Sequence, residues 1–322
     1  MIRVALDAMG GDLGSRVAFE CVQHYLLKHS DIEIIIFYHE SFSIPDNFLT
    51  NFDISSKKSV ALVKCPDLYS SDEMVSRRLF RRTNTSLYQA LTHMKNGKAD
   101  VVVTFGNTGI MVALARYILG LIKPKLYPAL IRDLSLKPLR CLTDLGANVH
   151  CPPDMLLGFA ELAAAYVEEL SGEKAKVGLL NVGVEASKGS SVVKQTNSLL
   201  SAMDWPEYSG YAEGHELFQG DKNVIVCDGM VGNAVLKASE GLFDFLLSKL
   251  TEKDSTSEIV ESFYQTERRH GACLVGVRGN LVKGHGGSDI VAMEGAIEYG
   301  VGIARAKLSK KIERRLTQER TK

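Results

Sequence analysis

Asp228 is the acid in the stretch N-V-I-V-C-D-G-M-V-G-N, Asn223 to Asn233, and its setting suits a ligand-binding turn. Val224, Ile225, Val226 and Cys227 make a continuous apolar run too short for a helix, so a buried strand is expected to end at the acid. A carboxylate at the carboxyl end of such a strand stands at the mouth of the usual crevice of an open α/β sheet. Gly229 and Gly232 let backbone N–H groups approach a ligand, and a helix expected from Ala234 to about Leu250 turns its positive end to the same place. An anion fits that description. An ordinary strand-to-helix turn capped by Asp228 or Asn233 fits it equally well.

The same device of strand, glycine-rich polar turn and helix recurs along the chain. Arg3 to Leu6 reads as a strand that empties into Asp7-Ala8-Met9-Gly10-Gly11-Asp12 before a helix from about Ser15 to His29. Asp100 to Thr104 leads into Phe105-Gly106-Asn107-Thr108-Gly109 and a helix from Ile110 to Leu121. Amide and hydroxyl groups at that helix N-terminus can bond phosphate oxygens. Cys141 to Asp144 enters Leu145-Gly146-Ala147-Asn148, then the Pro152-Pro153 turn and an alanine-rich helix to about Leu170. Lys176 to Leu180 enters the turn Asn181 to Gly189, in which Lys188 reads as the only cation of these turns, just before a helix from Ser190 to Met203. A lysine is usually a solvated group, yet here its compact charge is placed where a phosphate would want it. Strands at Ala272 to Val277 and Asn280 to Lys283 precede Gly284-His285-Gly286-Gly287-Ser288-Asp289 and a last long helix. His285 is open to a proton-donating or a structural role.

The rest of the chain must position these turns. Ile32 to Tyr38 and Ser59 to Cys65 read as strands joined by a polar connection from Ser41 to Ser59. From Asp72 the chain becomes charged and helical, with Arg77, Arg78, Arg81 and Arg82 forming either a solvated face or the flank of an anionic entrance. Trp205-Pro206 breaks the chain before a short strand from Tyr208 to Tyr211 and a short helix from Gly214 to Gly220. Thr251 to Arg269 reads as a helical hairpin remnant or surface excursion, and Lys307 to Lys322 as a solvated helix end.

With 322 residues the chain can build one large α/β unit or two interleaved subdomains over residues 1–322. Lysine plus arginine equals aspartate plus glutamate at 38 each, so no net field recommends nucleic acid as a partner. The six cysteines form no C-x-x-C pair, which argues against a zinc site or a disulfide framework and for a reducing, cytoplasmic setting. The N-terminus breaks its apolar run at Asp7, unlike a signal peptide, and no window reaches a membrane-spanning length. G-x-G-x-x-G is absent, so a nicotinamide cofactor is not expected, and nothing in the turns calls for a metal.

Together D-A-M-G-G-D at Asp7, T-S-L-Y-Q-A-L at Thr85, G-N-T-G at Gly106, D-L-G-A-N at Asp144, L-N-V-G-V-E-A-S-K-G at Leu180, D-G-M-V-G-N at Asp228 and K-G-H-G-G-S-D at Lys283 resemble the PlsX-type phosphate acyltransferases. The resemblance runs from the first strand to about Gly300, in the family's order and with similar spacing. It implies a three-layer α/β/α fold with a mixed, mostly parallel sheet, like isocitrate and isopropylmalate dehydrogenases. The activity implied is exchange of the carrier thioester of a long-chain acyl group for inorganic phosphate, yielding acyl phosphate for phospholipid synthesis. Its implied partners are acyl carrier protein as donor, phosphate, a second copy of the chain and a downstream membrane acyltransferase, with contact at the inner face of the membrane. The family's K-G lysine falls on Lys188 and the acid of its D-G-x-x-G-N motif on Asp228. Its phosphate and substrate positions fall on Gly10, Gly11, Asp12, Asn107, Thr108, Gly109, Asp144, Gly146, Asn148, Asn233 and His285. The chain departs from the family at Phe105, where a small residue is common, and at Val184, Ala186 and Ser187, where acids are common. It is also shorter between Gly241 and Gly271, the family's amphipathic hairpin.

Phosphate near neutral pH is already a nucleophile that needs positioning and charge neutralisation more than deprotonation. Lys188 is therefore expected to pair with phosphate as it attacks the thioester carbonyl, with Asp228 orienting Lys188 or taking the remaining proton. A phosphate acyltransferase using a short acyl-coenzyme A, and a non-catalytic scaffold that binds acyl phosphate, are the rival readings. A decarboxylating dehydrogenase of the same fold would need a metal-binding acid cluster that the turns do not display.

Overall fold

Four consecutive buried residues close the first strand, Ile2–Asp7 (β1), and four make up Val101–Thr104 (β4), so both faces of the sheet are covered there. This pattern belongs to parallel strands packed between helices. The computed structural model describes residues 1–45, 48, 60–70, 73–136, 138–247 and 271–318. The expected excursion over 251–269 and most of the connection over 41–59 lie outside the described residues.

The chain divides into two compact units. The first comprises Met1–Ile122 and Arg269–Lys310. Its strands, with Ile32–His39 (β2), Val60–Cys65 (β3), Ala272–Val275 (β10) and Leu281–Lys283 (β11), lie in the order β3-β2-β1-β4-β11-β10. All neighbours are parallel except the β10–β11 pair. Helices Ser15–Lys28 (α1), Ser86–Lys95 (α2), Thr108–Ile118 (α3) and Ile290–Arg305 (α7) accompany them. α2 packs on β1, β2 and β4, whereas α7 packs on α1, β1, β4 and β11.

The second unit comprises Lys123–Arg268 and Lys311–Lys322. Its strands are Ala129–Leu136 (β5), Leu139–Thr143 (β6), Val177–Leu180 (β7), Tyr208–Ala212 (β8) and Val224–Val226 (β9), in the order β5-β6-β9-β7-β8, antiparallel only between β5 and β6. Helices Pro153–Ser171 (α4), Ser191–Ala202 (α5) and Gly229–Leu247 (α6) belong to it. A final helix, Leu308–Gln318 (α8), follows Lys307, whose φ of 54° breaks it from α7, so the expected single last helix is two. Among the described residues no helix is long and apolar enough to cross a membrane.

The sequence-based expectation differs from the structure in three further places. The arginine-rich segment is not a regular helix, since only Leu79–Arg81 makes one 3₁₀ turn. Arg82 is held instead by Glu73 at 2.8 Å and lies over the Tyr69 ring at 5.1 Å. The helix after Asp228 begins at Gly229, so Asn233 lies inside it and the loop is shorter than expected. β5 went unanticipated.

The alignment of β1 with β4 is fixed at its start by Arg3 and Asp100. Arg3 donates through its backbone N and Nε to Asp100 Oδ2 at 2.9 and 3.1 Å and through a terminal nitrogen to Oδ1 at 2.8 Å, while Asp100 N returns a bond to Arg3 O at 2.8 Å. Four residues on, the same register sets Asp7 beside Thr104. Partial burial pulls the Asp100 carboxyl up, but the bonds from Arg3 outweigh it and hold the group below its usual 3.8. A carboxyl depressed in the folded state stabilises above its unfolded value and loses that contribution as pH falls through its folded one. Asp100→Ala is therefore expected to lower stability by about 1 kcal/mol at neutral pH, both side chains being about one-third exposed. Urea midpoints measured from pH 7 downward should show the deficit shrinking below about pH 4.

Candidate active site

In the first unit Asp7, Thr104 and Lys283 end three adjacent parallel strands at one level of the register, Asp7 opposite Thr104 and Thr104 opposite Lys283. Residues paired in register point to the same face, so the three side chains form a row. The order of strands reverses between β1 and β4, which is the switch point where open α/β sheets bind ligands.

A cavity of about 570 Å³ opens over this row. Gly10, Gly11, Asp12, Asn107 and Thr108 line it, so five of the expected substrate positions come together within one unit. Gly109 follows directly in the first turn of α3, and Asn107 caps that helix by accepting from Ile110 N at 3.1 Å. A Cβ at Gly10 would overlap the backbone N of Gly106, so the first and second turns can close on each other only with glycine there. Asp12 N is held by Gly286 O at 2.8 Å, which brings the third turn to the same wall.

His285 is exposed and does not line the cavity. Its Nδ1 accepts from Gly287 N at 3.1 Å, which fits the structural role left open above. Lys283, absent from the expected set, does line it from the end of β11. Asp7 is the second residue missed. It is buried, its Oδ1 accepting from Ser86 Oγ at 2.6 Å and Met9 N at 3.2 Å and its Oδ2 from Thr104 Oγ1 at 2.7 Å. Burial pushes its pKa up against the pull of those bonds and of the Lys283 charge.

In the second unit Asp144 is buried and its carboxylate is spent on its own loop. Oδ1 accepts from Leu130 N and Leu145 N, each at 2.8 Å, and from Ala147 N at 3.3 Å; Oδ2 accepts from Asn148 N at 2.7 Å and Asn148 Nδ2 at 3.1 Å. Burial pulls its pKa up and these bonds pull it back, with burial the larger. Asn148 also donates to Pro128 O at 2.8 Å and accepts from Gly229 N at 2.9 Å, which ties the loop to the start of α6. Gly146 lies 3.8 Å, measured from the Cβ it lacks, from the Cβ of Asn233, and Asn233 is exposed.

Asp228 caps α6, its Oδ1 accepting from Val231 N at 2.9 Å, and it also lines a second cavity of about 200 Å³. Leu156, Leu179, Val192 and Val193 make the apolar wall there, with Ser190 and His150 as polar groups. Thus the capping reading of Asp228 holds, and the residue also borders a cavity. Lys188 does not line this cavity; its ammonium pairs with Glu185 at 2.9 Å, both side chains being about half exposed. The hydrogen bond from Lys188 lowers the Glu185 pKa and that to Glu185 raises the Lys188 pKa, so Lys188 is a cation and not a base near neutrality.

The strand order and the helices packed on the strands define a mixed, mostly parallel α/β fold that solved phosphotransacylases share. The chain aligns with a branched-chain phosphotransacylase from Enterococcus faecalis V583 at a TM-score of 0.62 and 15% identity, over 94% of this chain and 99% of that one. A phosphotransacetylase from Streptococcus pyogenes aligns at 0.63 and 15%, over 95% and 94%. Residues 2–311 match the model of the fatty acid synthesis protein family. Phosphate acyltransferase from Polynucleobacter asymbioticus is 35% identical over 320 residues, 92% of each chain, and that from Vibrio campbellii 33% identical over 331 residues, 98% of this chain and 96% of that one. The chain belongs to this family, the PlsX-type phosphate acyltransferases, as its turns implied.

Proposed function

We propose that this enzyme moves a long-chain fatty acyl group from acyl carrier protein to inorganic phosphate, supplying acyl phosphate for phospholipid synthesis. The observation that carries the reading is the family match over residues 2–311, joined to relatives named phosphate acyltransferase. In the step itself a phosphate oxygen bonds to the thioester carbonyl carbon, the carbon–sulfur bond breaks, and the thiolate leaves and takes up a proton. Lys188 neutralises the incoming phosphate, and Asp228 orients Lys188 or takes the phosphate's remaining proton. The exposed Lys188–Glu185 pair is screened by water and weak enough for phosphate to displace Glu185. The amide-rich turns supply uncharged donors to the phosphate oxygens and the developing oxyanion. The proposal includes a homodimer working in the cytoplasm, touching the membrane surface where a membrane acyltransferase consumes the product.

The test is phosphate-dependent acyl-phosphate formation with palmitoyl-acyl carrier protein and, separately, with acetyl- and palmitoyl-coenzyme A. The carrier thioester is expected to give the highest kcat/KM. A preference for acetyl-coenzyme A would assign the chain to short-acyl transfer, and phosphate binding without product from any donor would leave it a scaffold.

A further inference from the structure

Resting on that reading, we propose that the cavity of the second unit seats a segment of the donor's acyl chain, and that Val193 sets how much of the chain fits. The cavity, about 200 Å³, lies at the carboxyl ends of the neighbouring parallel strands β7 and β9, where Leu179 and Leu180 finish one and Cys227 and Asp228 follow the other. First turns of three helices complete the wall, with Leu156 from α4, Val192 and Val193 from α5 and Val231 from α6. Leu156 and Leu179 are buried, whereas Val192 and Val193 are half-buried, so the leucines form the floor and the valines of α5 stand nearer the opening.

The polar groups in this wall are already engaged by their own backbone. Ser190 Oγ accepts from Val193 N at 3.3 Å, Asp228 Oδ1 accepts from Val231 N at 2.9 Å, and Cys151 Sγ donates to Asn148 O at 3.4 Å. Burial pushes the Cys151 thiol up to about 11 and the Cys227 thiol well above its usual value, so near neutrality both are uncharged and act as small apolar groups. The thiol arm of a carrier has amides that need partners when buried, and a methylene chain needs none. The wall therefore fits the acyl chain better than the arm.

A site for a whole small ligand usually spans about 300–1,000 Å³, so this smaller cavity takes only part of a long chain. The turn from Asn181 to Gly189 leaves the wall at Leu180 and returns to it at Ser190. That turn carries Lys188, assigned above to phosphate, and it leaves Val182 and Val184 exposed. With Asp228 also in the wall, the reacting end of the donor and the adjoining methylenes have neighbouring places within one unit. The exposed valines offer apolar surface to the methylenes that the cavity does not hold.

The discriminating variant is Val193→Phe, which fills the cavity, with Leu199→Phe on the exposed side of the same helix as control. Initial rates are measured with butyryl-, octanoyl-, lauroyl- and palmitoyl-acyl carrier protein at saturating phosphate. Each methylene denied burial costs about fourfold in kcat/KM. Val193→Phe is therefore expected to lose little with the butyryl donor and about ten- to sixtyfold with the longer ones, while Leu199→Phe keeps the wild-type profile. A folded Val193→Phe whose profile stays within twofold of wild type would overturn the inference. So would an equal loss on every donor, which would place Val193 against the reacting group instead of the chain. Should Val193→Phe not fold, Val193→Ile, one methylene larger than wild type, decides: a graded loss of about fourfold supports the proposal and a flat profile overturns it. If wild type makes no acyl phosphate from any donor, the functional reading fails and the cavity is judged by the melting-temperature rise that 1-octanol gives. A rise in wild type that is lost in the folded variant supports an apolar-chain site; an equal rise in both, or none in wild type, overturns it.

Discussion

Lys188→Ala is expected to lower acyl-phosphate formation by about two to three powers of ten while the protein unfolds at its wild-type temperature. The size follows from removing one preorganised charge-stabilising group at a reacting anion. The neutral effect on stability follows from the structure: the side chain is about half exposed, and its ammonium group pairs with Glu185, which is about as exposed. Such a pair is screened by water and contributes little to folding. Glu185→Gln supplies the complementary measurement. If phosphate must displace Glu185 from the ammonium group, removing that carboxylate charge should leave kcat intact and lower the KM for phosphate by a few-fold. Near-normal rates in folded Lys188→Ala would remove Lys188 from the reaction and leave Lys283 as the cation to test next. A raised KM for phosphate in Glu185→Gln would show that Glu185 helps to place the lysine instead of competing for it.

Much of the strand-and-turn plan was legible because buried parallel strands read as short apolar runs ending in glycine. β5 escaped because its sequence, A-L-I-R-D-L-S-L, carries two charges inside the strand. Both meet partners that only folding supplies, Arg132 in an ion pair with Glu240 at 2.6 Å and Asp133 accepting from Tyr166 Oη at 2.7 Å. The start of α6 was misplaced for a related reason. Two glycines in its first turn discourage a helix by propensity, yet a Cβ at Gly232 would overlap Asp144 O, so close packing selects glycine within the helix.

The site was legible as a set of turns but not as a division of labour. Gly10, Gly11, Asp12, Asn107 and Thr108 do share one cavity. Lys283 was hidden because its neighbours, Thr104 and Phe105, lie more than half the length of the chain away, and its place depends on β11 joining β4. The nearest local signal was a lysine closing a strand directly before Gly284, the same position that Asp7 and Thr104 hold in theirs. Asp144 and Asn148 show the converse. An acid in a glycine-rich turn has the same spelling whether its oxygens face a ligand or its own backbone.

That distinction gives Asp144 the largest expected effect on stability. Its carboxylate accepts from four backbone N–H groups, of Leu130, Leu145, Ala147 and Asn148, and from the Asn148 amide. Burial of the charge works against these bonds and is the larger of the two influences on its pKa. Asp144→Ala removes the acceptors and leaves the donors, and orphaned buried donors cost more than the bonds were worth. Water reaching the vacated space recovers part, so a loss of about 3–5 kcal/mol is expected from urea or thermal unfolding. Asp144→Asn keeps one acceptor oxygen but turns an amino group toward N–H donors, and about half that loss is expected. The consequence for chemistry runs through the backbone. Asp144 N is bonded to Cys227 O at 3.0 Å and Asn148 O to Gly229 N at 2.9 Å, so the loop that Asp144 organises holds both sides of Asp228. Folded Asp144→Asn should therefore lose kcat without a matching rise in the KM for phosphate. A large KM change instead would mean that Asp144 meets the substrate directly, and wild-type stability in both variants would show that the loop needs no buried acceptor.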